Sequence, residues 1–90
     1  MAAQIVPAHV AIRRNRVANI DVDRLIRRRD YLIDVLILNG GRNLPGGRMN
    51  YGHRAAELHV IRQHLIARGA VSPAADAAVM NAAQDAAAMA

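Results

Sequence analysis

Cysteine, lysine, threonine, phenylalanine and tryptophan are all missing from these 90 residues. Without cysteine there is no disulfide to staple a small chain and no thiolate to hold a metal. With only Tyr31 and Tyr51 as aromatics, the core has to be built from Leu, Ile, Val and Ala. No aromatic residues interleave with the basic ones, so the stacking platform that grips single-stranded nucleic acid is lacking. Threonine is absent and serine occurs once, at Ser72, a position suited to capping a helix. Nucleophile, base and orienting group therefore cannot be assembled, and no enzymatic activity is expected. A chain of this length makes one small domain whose thin aliphatic core favours oligomerisation or docking on a partner.

Arginine is the feature that is present in excess. All twelve basic residues are arginine, against seven acids. Guanidinium groups grip phosphate and carboxylate bidentately and tolerate buried interfaces. The codon usage of a GC-rich genome is the favoured account of nineteen alanines and no lysine. The charge is segregated along the chain. From Arg13 to Arg68, twelve arginines stand against five acids, a balance of +7, and the tail beyond carries Asp76 and Asp85 alone, a balance of −2.

The expected fold is mainly α: an antiparallel helical hairpin with an extended N-terminal arm, a Gly/Arg-rich connector and an Ala-rich C-terminal helix. The arm covers residues 1–20, the hairpin 21–69 and the tail 70–90. In residues 21–38 the apolar positions Val22, Leu25, Ile26, Leu32, Ile33, Leu36 and Ile37 recur at three and four residues, the spacing of one helix face. Asp21 suits the N-cap, Asp23 the first turn, and Asn39-Gly40 the stop. Arg29 alone breaks the stripe; its stem is expected along the seam with its head outside. A second helix is expected over 52–68, with Asn50 as cap, Ala55, Leu58, Ile61, Leu65 and Ile66 as its stripe, Val60 on its flank and Gly69 as its end. Ser72-Pro73 opens the tail helix, which is marginal alone and needs a neighbour. In the first eighteen residues Val6, Ala8, Val10 and Ile12 alternate as in an edge strand or arm, while Pro7 also permits a short helix.

The partner-binding candidates are Arg13, Arg14 and Arg16 before the first helix, Arg24, Arg27 and Arg28 on it, and Arg42, Leu44 and Arg48 in the 39–51 connector. Arg24, Arg27, Arg28 and Arg29 lie in the first half of a helix, where positive charge opposes the macrodipole. That placement suits either an external anionic surface or a solvated face balanced by Asp30 and Asp34. Together with the earlier patch it could follow a phosphate backbone, with strong salt dependence. The connector has the glycines but not the lysine and hydroxyl of a phosphate-binding loop. It is expected either as a simple mobile connector or as a tip that inserts into a partner through Leu44 and Arg48. His53, Glu57 and His64 share a helix face, yet their spacing is not that of HExxH, and Glu57 is expected to pair with His53 or Arg54. No cofactor or metal is expected. The opening Met1 to Pro7 lacks the charged start and apolar run of a secretory signal, so a virion or cytoplasmic location is expected.

In the order of arm, helix 21–38, connector 39–52 and helix 53–69, the chain resembles the small head-to-tail or other accessory structural proteins of tailed bacteriophages. The resemblance covers about half the chain and is architectural. It implies a virion role in which copies pack in a ring or shell, contact other protein subunits through arm and tail, and carry no chemistry. Such folds often hold a β-hairpin between the helices, where this chain has Gly-Gly pairs and Pro45 instead. The alternative is a dimeric DNA-binding regulator similar to the ribbon-helix-helix family, with Val10 to Arg14 as its strand and His53 to Leu58 opening its second helix. The long 14–19 link and the connector depart from that pattern. A third class is a protein inhibitor or adaptor acting through the arginine face.

Overall fold

The computed structural model describes residues 20–89, and among them the chain is helical with no strand. The arm with Arg13, Arg14 and Arg16 lies outside the described residues, as does the strand of the ribbon-helix-helix alternative. Helix α1 spans Val22–Ile33 and runs on into a π-helical turn, Asp34–Leu38. A 3-10 turn, Arg48–Asn50, leads into α2, Tyr51–Ala67, and α3 spans Pro73–Met89. The fold is mainly α, as the spacing of apolar residues implies.

Local chemistry sets most boundaries. The Asp21 carboxylate accepts the Asp23 N–H at 3.2 Å, capping α1. Ser72 Oγ accepts the Ala75 N–H at 3.0 Å, and Pro73 takes the first helical position of α3. Gly69 ends α2 with φ +74°, and the Ala70 N–H reaches back to the Leu65 carbonyl at 3.0 Å.

Two boundaries differ from expectation. The first helix is not α to its end: the Asn39 N–H bonds the Asp34 carbonyl at 2.9 Å, a five-residue closure that widens the last turn and buries both Val35 and Leu36. Asn50 does not cap α2. Its backbone is already helical and its side-chain amide donates to the Pro45 carbonyl at 3.2 Å, so its polar group closes the connector instead.

The hairpin is antiparallel, as three contacts show. Arg68 at the end of α2 donates to the Ile20 carbonyl before α1, Arg28 bonds Glu57 near the middle, and the Tyr51 hydroxyl at the start of α2 donates to the Leu36 carbonyl. Partner numbers rise on one arm as they fall on the other. The core is aliphatic: Leu25, Leu32 and Leu36 from the first arm meet Leu58, Ile61 and Leu65 of α2. Val60, expected on the flank, is fully buried, because α2 packs against α3 as well as α1.

The tail helix finds its neighbour inside the chain. α3 folds back on the π turn and on α2, burying Asp76 and Ala83 and packing Val79 and Met80 against the core. Arg62 of α2 grips the Asp76 carboxylate with Nε at 3.0 Å and Nη2 at 2.7 Å. The ion pair holds the Asp76 carboxyl below the ordinary range, chiefly through the Arg62 hydrogen bonds and against the opposing effect of burial. Arg29 also lowers it from α1. This is a correction to the reading of Arg29: the whole residue is buried and its guanidinium is held by Asp30 at 2.9–3.0 Å rather than standing in solvent.

Candidate functional site

The candidate residues separate into three environments. Arg24 and Arg27 are exposed on α1 and form no ion pair among the described residues. They sit in the first two turns of that helix, where only Asp21 and Asp23 offset the positive helix end. Arg42 and Arg48 are likewise exposed and unpaired among the described residues, on the connector. Asp34 makes no ion pair there either, and Asp30 pairs with its neighbour Arg29, so neither Asp30 nor Asp34 neutralises Arg24 or Arg27.

Arg28 is placed differently. Its Nε and Nη2 bond the two oxygens of Glu57 at 2.6 and 3.1 Å, across the hairpin. Its guanidinium also lies 5.1 Å from the centre of the Tyr31 ring, within cation–π range. Arg54 approaches the same carboxylate one turn along α2, Nη1 to Oε1 at 2.7 Å. The hydrogen bonds that Arg28 donates to the Glu57 carboxylate hold its guanidinium even more firmly protonated than usual. The pairing of Glu57 with Arg54 follows the sequence; its bond to Arg28, 29 residues away, depends on the hairpin register and has no local signal. Among the described residues no set of three His, Cys, Asp and Glu side chains gathers as a metal site. Glu57, the centre of the histidine trio on α2, gives its oxygens to the two arginines.

Leu44 corrects the picture of an inserting tip. It is 5% exposed and belongs to the protein's own core. The connector turns inward there because Leu44 is its only large aliphatic side chain and burying one stabilises by about 1.5–3 kcal/mol. The backbone closes around it: the Leu44 N–H reaches the Gly41 carbonyl and the Gly47 N–H returns to the Leu44 carbonyl at 2.9 Å. Gly46 has φ +84°, and a Cβ there would lie 2.0 Å from the Asn50 amide nitrogen. The connector is thus a folded elbow, with Arg42 and Arg48 left on its outer side.

Between the elbow and the helices lies an open groove of about 420 Å³, walled by Arg28, Tyr31, Leu44, Pro45, Asn50 and Arg54. A second groove of about 310 Å³ lies along the α1–α2 seam between Arg24 and Ile61. On α3, the side away from Asp76 and Ala83 is exposed. Ala75, Ala78, Ala82, Ala86 and Met89 form a continuous apolar band there, edged by Asn81 and Asp85. Among the described residues no helix is long and apolar enough to cross a membrane. Comparison with known protein families, with curated protein sequences and with solved structures gives no match to this chain.

Proposed function

We propose that this chain is a non-enzymatic assembly protein, a structural component of a bacteriophage particle, whose copies pack through the exposed side of α3 and present arginines to their surroundings. The carrying observation is the alanine band of α3. Its inner side is anchored by Asp76 and Ala83, while Ala75, Ala78, Ala82, Ala86 and an almost fully exposed Met89 face outward. Alanine contributes little by burial alone; its use is to let a second backbone approach closely. A second copy of this chain offers a matching band, so the surface is self-complementary and closes as a symmetric pair. The viral part of the reading is supported by the order of helix, connector, helix and alanine-rich tail.

The exposed Arg24, Arg27, Arg42 and Arg48 give such an assembly a basic exterior suited to acidic subunits or to nucleic acid. The test is mass spectrometry of the untagged chain after gentle purification. Self-association, alone or with structural subunits bound, is the expected result. A protein that co-purifies with no structural subunit, goes no further than a dimer and shifts duplex DNA with a steep salt dependence would instead establish the regulator alternative.

A further inference from the structure

We propose that the groove between α1, the elbow turn and the start of α2 is a binding site for an oxyanion carried on a flat apolar group, an aryl carboxylate or aryl phosphate. This inference is independent of the packing of α3.

Its starting point is an edge that Arg28 and Arg62 use and Arg54 leaves empty. Arg28 turns Nε and Nη2 onto Glu57, and Arg62 turns Nε and Nη2 onto Asp76. That side-on edge is the fork that matches a carboxylate or phosphate bidentately. Arg54 gives Glu57 only Nη1, and its Nε is shielded from solvent without a hydrogen-bond partner among the described residues. A buried N–H left unpaired is costly and uncommon in folded proteins. Arg54 borders the groove, so an oxyanion entering there meets the side chain that carries the unused edge. Glu57 balances one of the two guanidiniums that line this wall, leaving the positive charge that an anion needs.

The rest of the groove selects what carries the anion. Tyr31, Leu44 and Pro45 supply flat and aliphatic walls, and the Tyr31 ring is held in place by the Arg28 guanidinium. The Asn50 amide, already donating to Pro45, adds a polar rim. A volume of about 420 Å³ falls within the range of small-ligand sites. Bare inorganic phosphate would fill only the guanidinium end.

The test is a proton–nitrogen NMR titration of the full chain with phenyl phosphate, benzoate and inorganic phosphate. Phenyl phosphate or benzoate is expected to shift the Arg54 Nε–H and the backbone signals of Gly46 and Asn50. The better aryl probe should bind about tenfold more tightly than inorganic phosphate. Binding of benzoate alone identifies a carboxylate ligand, and of phenyl phosphate alone a phosphate ligand; either supports the site. R54K keeps the charge but loses the planar fork and should weaken binding about tenfold. R54M should abolish it, while R27M, outside the groove, should leave it unchanged; circular dichroism checks that each variant is folded. The proposal is overturned if neither aryl probe moves these signals at about 10 mM, a concentration that would half-fill even a weak site. It is equally overturned if folded R54K and R54M bind as the parent does.

Discussion

Asp76 shows how much a single side chain decides here. It is the only acid of α3 that is buried, and its two oxygens are filled by Arg62. Replacing it as D76N leaves a part-buried guanidinium with a poorer acceptor, a loss of about 1–3 kcal/mol. For a domain of this size each kcal/mol lowers the melting temperature by about 4–8 °C, readable by circular dichroism. The sign of the pH effect follows from the depressed carboxyl. Its stabilisation is complete above the ordinary Asp range and is lost as pH falls through the lower folded value. The parent should therefore lose melting temperature between about pH 5 and pH 2, and D76N should lose less over that range.

Glycine positions in the elbow give a second comparison. Gly46 and Gly47 both hold positive φ, but only at Gly46 would a Cβ strike a neighbour, the Asn50 amide. G47A is expected to cost about 1–2 kcal/mol from backbone conformation alone. G46A should cost about 1 kcal/mol more, since it also breaks the Asn50–Pro45 hydrogen bond. Equal melting temperatures for the two variants would contradict the described elbow.

The elements differ in how legible they are from sequence. The start of α1, the end of α2 and the start of α3 are, because their signals are local: Asp21 caps, Gly69 stops, and Ser72-Pro73 restarts. The π turn is not, because nothing within Asp34–Leu38 distinguishes it from ordinary helix; α3 packs on that segment from far along the chain. The Arg28–Glu57 and Arg62–Asp76 pairs are hidden for the same reason, since they need the register of three helices. Leu44 reads as a loop residue because periodicity says nothing about an irregular segment, yet it fills the core. L44A should accordingly lower stability by about 2–5 kcal/mol, as a core truncation does. A loss below about 0.5 kcal/mol in chemical denaturation, the range of surface changes, would return the elbow to a simple connector.

At the scale of the molecule, the described residues present two unlike exteriors: arginines on α1 and the elbow, and a nearly uncharged alanine band on α3. Its interior has no aromatic ring, and the third helix completes it by burying only one side. The other side is what the assembly reading assigns to neighbouring copies. Sedimentation equilibrium of the full chain against A78E and A82E addresses this directly. Both substitutions lie on exposed positions and should change the stability of the single chain by no more than about 0.5 kcal/mol. The account predicts a parent mass that rises with concentration to a dimer or larger closed assembly, with both variants sedimenting as monomers. A parent that remains monomeric across the concentration range, or variants that associate as the parent does, would contradict it.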